Sequence, residues 1–204
     1  MTGNLMTGHD GGSYGGERSG GMAHSASLRC HLAAQVFADI PELTEDMEAR
    51  PKQGEAGLAF AQRLLVSPTP EEAITFMAQL FARRVSIWWG HECLRYLHRL
   101  LDPLDQEMMG MCANWVAAPD EANRLQIAQR VENCATRSPG VWLAMAASWS
   151  GGSMSPPDTP VVPPPRFLTG RGVNAAVLSA LARGKRADRQ ETLETFIAMA
   201  HDLV

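Results

Sequence analysis

The chain has 204 residues, 45 % of them hydrophobic and 20 % charged, which is the size and balance of one ordinary globular domain. A net charge of −4 gives no basic face for nucleic acid. The most apolar stretch, Val141 to Ala147, is far too short to cross a bilayer.

Met1 to about Ser25 is rich in Gly and Ser with almost nothing to bury, so it reads as a flexible tail ahead of a single helical domain, 26–204. No basic n-region followed by an apolar core marks a secretory leader, so a cytoplasmic protein is expected. Met6 and Met22 are alternative starts within the tail. Four cysteines (Cys30, Cys93, Cys112, Cys134) lie far apart without C-x-x-C spacing and read as reduced, buried thiols.

After the tail the apolar period is helical. Leu28, Leu32, Val36 and Ile40 predict a short helix ending before Pro41, and Ala56 to Val66 predicts another. Thr69, Pro70 and Glu72 read as a capping box opening a helix with Ala73, Phe76, Met77 and Leu80 on one stripe. Val85 to Leu101 predicts an amphipathic helix stopped by Asp102-Pro103. Leu104, Met108, Met111, Cys112 and Trp115 form the clearest stripe in the chain, closed by Ala118-Pro119. Another helix runs from Asp120 through Leu125, Ala128, Val131 and Ala135. Val141 to Ser148, apolar nearly all round, belongs in the middle of the domain.

From Trp149 the pattern breaks. Gly151 and Gly152 close the preceding helix, and Pro156 to Pro165 favours polyproline II, which at about 3 Å per residue would span ~30 Å. Residues 150–168 are thus expected to form an extended strap. Beyond it, Thr169 caps Arg171–Leu181, and Asp188 with Glu191 opens Arg189–Val204, the two forming a C-terminal helical hairpin, 169–204. The strap either simply joins the bundle to that hairpin, or Pro160, Pro163 and Arg166 present a groove-binding ligand to a partner. No segment alternates apolar and polar residues. The expected fold is all-α, either a single bundle or an array of antiparallel helix pairs.

Trp88-Trp89, then Trp115-Val116-Ala117-Ala118-Pro119 and Arg124, then Trp149-Ser150-Gly151-Gly152-Ser153 before Pro156-Pro157 occur in this order. Val162-Pro163-Pro164-Pro165 and Leu168-Thr169 follow. Together they resemble an uncharacterised proteobacterial family of helical proteins, a domain of unknown function, from about Thr69 to the C-terminus. The resemblance implies a companion of bacterial export systems, type VI secretion among them. It implies no catalytic residues.

His91, Glu92 and His98 hint at a metal, but the histidines are two helical turns apart, about 10 Å along the axis. Ser150 lacks the G-x-S-x-G order of a nucleophile elbow. Gly151-Gly152-Ser153 reads as a helix cap before it reads as an anion nest. Cys112 reads as core packing. The basic run Arg166, Arg171, Arg183, Lys185, Arg186 and Arg189 is a solvated helix turn or a contact for an acidic or phosphate-bearing partner. Trp88 and Trp89 point about 100° apart on a helix, so one faces the core and the other a groove or partner.

The expectation is therefore a non-enzymatic, protein-binding accessory (an adaptor or chaperone-like protein) that needs no cofactor or metal. Its partner contacts are Trp88, Trp89, Trp115, Arg124, Trp149 and Arg166. The alternative is a small-molecule or nucleotide-sensing domain with a pocket among Trp88, His91, Trp115 and Arg124. A metalloenzyme using His91, Glu92 and His98 is the third reading.

Overall fold

The computed structural model describes residues 27–155 and 158–204. The Gly/Ser-rich tail and its alternative starts lie outside the described residues. Among the described residues are ten α-helices and two 3-10 turns: α1 (Ala33–Asp39), α2 (Leu43–Asp46), α3 (Gly57–Leu64), α4 (Glu72–Leu80), α5 (Arg83–Tyr96), a turn at His98–Leu100, α6 (Pro103–Ala117), α7 (Glu121–Glu132), α8 (Pro139–Ser148), α9 (Leu168–Leu181), a turn at Arg186–Asp188, and α10 (Arg189–His201). Extended pairing is limited to two isolated bridges, Leu28 with Phe81 and Leu32 with Ala56. The fold is all-α.

The most apolar segments take the centre. Eight of ten residues of α8 are buried, and α8 packs on α5, α6, α7 and α9. All nine residues of α4 are buried, which is a fuller burial than the single stripe predicted. One continuous core joins the elements from Ala33 to Ala200. At one end Phe37, Phe60 and Phe76 from α1, α3 and α4 meet edge-on and stacked, with centroids 4.7–6.1 Å apart.

Helix starts follow local chemistry, though not always where the pattern placed it. Asp102 ends the turn after α5 and also caps α6: its carboxylate accepts from the Asp105 N–H at 2.9 Å, and the Asp105 carboxylate accepts from the Asp102 N–H at 3.3 Å. The expected box at Thr69 and Glu72 does not form. Glu72 instead turns its carboxylate to the backbone N–H groups of Glu48 and Ala49, at 2.6 and 3.0 Å, and ties the α2–α3 connection to α4. Asp188 likewise makes no side-chain cap, because the 3-10 turn leads straight into α10. Thr169 lies inside α9, and its hydroxyl donates to the Trp149 carbonyl at 3.1 Å. The first helix begins only at Ala33, since Leu28 and Leu32 are engaged in the two bridges. The helix expected to reach Leu101 stops at Tyr96.

Two larger expectations are corrected. The proline segment is not a ribbon crossing one face: the Met154 N–H donates to the Val162 carbonyl at 2.8 Å, so the chain doubles back on itself. Ser153 explains the return, because its hydroxyl accepts from the N–H groups of Ser155 and Val162, at 3.0 and 3.1 Å. Six prolines in this stretch cannot donate to a regular partner strand, which leaves a loop pinned at its base. Nor do α9 and α10 pair as a hairpin. α9 lies on α8, α5 and α4, while α10 crosses α4, α5 and α3. The Trp89 indole N–H donating to the Phe196 carbonyl at 3.0 Å fixes α10 to α5 instead.

Candidate functional site

The site is built where α7 and α8 meet the start of the proline loop. Trp149, half-buried just past α8, lines a groove of about 220 Å³ with Met145 and Ser148 from α8, Ala128 and Val131 from α7, and Met154 from the loop. Loop residues Met154, Val161 and Val162 are 50 %, 74 % and 50 % exposed, unusually open for large apolar side chains on a structured segment.

Arg124 supports this groove from beneath. It is 5 % exposed, and its guanidinium donates to the Ser148 carbonyl at 2.7 Å and to both oxygens of Glu121, at 2.7 and 2.5 Å. That hydrogen bonding to Glu121 raises the Arg124 pKa and lowers that of Glu121. Gly152 passes directly over the guanidinium with φ +67°, so a side chain there would strain the backbone and strike Arg124. Gly151 has no such conformation. Arg124 was expected to touch a partner, but its donors close the end of α8 and seat the loop.

The other expected contacts are scattered. Trp89 is fully buried and offers no surface, whereas Trp88 is half-buried and stacks on His91 with centroids 4.9 Å apart. Trp88 lines a separate apolar groove of about 230 Å³ with Arg84, Val85, Val116 and Leu203. Trp115 is 6 % exposed and belongs to the core. Arg166 is exposed and pairs with Asp39 at 3.0 Å. The pocket expected among Trp88, His91, Trp115 and Arg124 is thus divided, with Trp88 in one groove and Arg124 in another.

His91 Nδ1 lies 3.0 Å from Glu92, while His98 Nδ1 lies 3.1 Å from the Arg95 carbonyl. Burial raises the Glu92 pKa, but hydrogen bonds from Arg95 and His91 outweigh it and hold the carboxylate ionised. Among the described residues no three His, Cys, Asp or Glu converge as metal ligands. Burial pushes the Cys93 and Cys112 thiols far up, away from nucleophilic use, and Cys134 is also buried. Cys30, expected to be buried, is only half-buried, its Sγ 3.8 Å from Asp39.

The basic run is largely spoken for: Arg171 forks onto Asp46 through two bonds of 2.9 Å, Arg183 reaches buried Asp105 at 2.7 Å, and Arg189 reaches Glu71 at 2.5 Å. With Arg166 on Asp39, four of the six cations act as tethers between elements.

A family model matches residues 60–204, more than two thirds of the chain, and takes in the Trp149 groove, the loop and the three helices that carry Trp88, Trp89, Trp115 and Trp142. The chain belongs to a family of unknown function, DUF6931. No curated protein and no solved structure matches it. The DUF6931 match leaves out α1 and α2 and begins within α3, nine residues ahead of Thr69. No helix among the described residues is long and apolar enough to cross a membrane.

Sequence reasoning missed Ser153, Met154, Val161 and Val162. Their signal was the pairing of a serine with a tight Gly-Gly turn and an apolar pair set among prolines. Asp105 was also missed, although Asp102-Pro103-Leu104-Asp105 carries the spacing of a capping box.

Proposed function

We propose that this protein is a non-enzymatic accessory that binds a protein partner through the pinned loop and the Trp149 groove. It would act as an adaptor or chaperone-like component of a bacterial export apparatus of the type VI kind, in the cytoplasm of a proteobacterium. One observation carries the reading: Met154, Val161 and Val162 stay at least half exposed beside the Trp149 groove, on a loop whose base is closed by hydrogen bonds to Ser153. Exposed apolar side chains gain free energy when a partner covers them, and the hydrogen bonds at the base of the loop already hold Met154 and Val162 in place for it.

The test is capture of partners at native expression level by the wild type and by Met154→Glu and Val161→Glu. Both substitutions fall on exposed positions, so thermal stability is expected to stay within about 0.5 kcal/mol of wild type. One protein retained by the wild type and lost from both variants supports the reading. Equal retention by all three, or a wild type that retains nothing, overturns it. A second reading, a small-molecule or nucleotide sensor, draws on a wider groove of about 650 Å³ lined by Tyr96, Leu97, Arg99, Leu181 and Lys185. A metabolite that raises the melting temperature, with the rise lost in Tyr96→Ala, would favour it.

A further inference from the structure

Four segments meet at the junction of α4 and α5, and each brings an arginine or the backbone that seats one. The bridge between Leu28 and Phe81, with the Arg29 N–H on the Leu80 carbonyl at 2.8 Å, lays residue 29 alongside the end of α4. The Arg29 Nε donates to the Gln79 carbonyl at 3.1 Å. The side chain of that same Gln79 donates to the Phe167 carbonyl at 2.8 Å, which brings Arg166 to the same rim. Arg83, the first residue of α5, donates through one guanidinium nitrogen to the Ser150 carbonyl at 2.9 Å. Trp149, next to Ser150, is tied through its carbonyl to Thr169 of α9.

Among the described residues only one carboxylate answers these three cations. Asp39 accepts from Arg166, and among the described residues Arg29 and Arg83 have no ion pair. Both are half-buried, and among the described residues each spends a single nitrogen on a backbone carbonyl, leaving most of its fork without a partner there. Their crowding shows in their acidity: burial lowers the Arg29 pKa, Arg166 and Arg83 lower it further, and Asp39 offsets only part of this. Arg83 is lowered by burial and then by Arg166. Like charges are held together here at a cost that a bound anion would remove. The N-terminus of the 14-residue α5 has no side-chain cap and adds its positive end to the same place.

We propose that Arg29, Arg83 and Arg166 form a binding site for a phosphate-bearing ligand. With Asp39 answering one of the three cations, a phosphate dianion matches the remaining two charges and supplies acceptors for their forks, whereas one further carboxylate would leave a cation unanswered. The site uses none of the loop residues 153–162, so it stands or falls apart from the partner reading.

The test is calorimetric titration of the full chain with inorganic phosphate, against acetate at the same ionic strength. Saturable binding is expected with phosphate alone, weakened about tenfold or more in both Arg29→Gln and Arg166→Gln, with Arg166→Lys retaining part of it. Arg166 is the most exposed of the three, so its variants keep the fold and decide the outcome should Arg29→Gln fail to fold. Sedimentation with phosphatidylcholine vesicles carrying phosphatidic acid assigns the source. Capture by them points to a lipid headgroup, and no capture points to a soluble phosphate, each consistent with the site. No saturable binding, equal binding of acetate, or equal binding by Arg166→Gln and wild type would overturn it.

Discussion

Adjacent Trp88 and Trp89 have opposite fates because successive helical residues point about 100° apart. Trp89 fills the core and gives its indole N–H to Phe196, so Trp89→Ala is expected to cost about 3–5 kcal/mol in chemical denaturation. Trp88→Ala, losing one stacking partner at a half-buried position, is expected to cost about 1 kcal/mol. Equal losses would mean that α5 is rotated from the orientation described. Asp105 is the costliest polar residue to remove. It is wholly buried, and its oxygens take the Gly140 N–H at 2.7 Å and Arg183 at 2.7 Å, joining α6, α8 and the end of α9. Burial raises its pKa, but the bonds from the Gly140 N–H, Arg183 and the Asp102 N–H more than offset this and leave the carboxyl below its ordinary value. Asp105→Ala strands Arg183 and the Gly140 N–H, and about 3–5 kcal/mol of stability is expected to go with it.

At the scale of elements, the joints between helices decide what the pattern could reveal. The stripe of α6, the start of α7 and the central place of α8 were legible, because each depends on its own residues' burial and on Asp102, Asp120 and Pro139 at the starts, whereas α7 ends at Glu132, short of the expected Ala135. The α9–α10 hairpin was not, because both helices are amphipathic and nothing local states which neighbour each one covers. The proline segment was misjudged for a related reason: polyproline propensity describes a chain without partners, and one serine hydroxyl redirected it. Of the expected site residues, Trp149 and Trp88 line grooves, but Arg124 could not be told from a surface contact without seeing Ser148 and Gly152 around it. Gly152→Ala is accordingly expected to lose about 1–3 kcal/mol, from strained backbone and the clash with Arg124. A variant of unchanged melting temperature would contradict this. Acid should loosen the α3 region as well. Hydrogen bonding to Arg63 brings the Glu55 pKa down to about 2, below its value in the unfolded chain. A depressed carboxylate stabilises above the unfolded pKa and loses that contribution as pH falls through the folded one. Stability should therefore decline from the ordinary carboxylate range towards pH 2, less steeply in Glu55→Gln, as read by denaturation at stepped pH.

At the scale of the molecule, the ten helices among the described residues share one core, and ties between elements are spread over several arginines. Against that body the 153–162 loop stands out, since Met154, Val161 and Val162 stay at least half exposed while its base is fixed. The partner reading places binding on this loop, on Trp149 and on the flank of α7. Hydrogen exchange of the protein alone and with its captured partner tests it most directly. Added protection is expected over residues 149–162 and along α7, with α10 and the 98–100 turn unchanged. Protection confined to the 98–100 turn and α10, or no change at all over 149–162, would contradict the account.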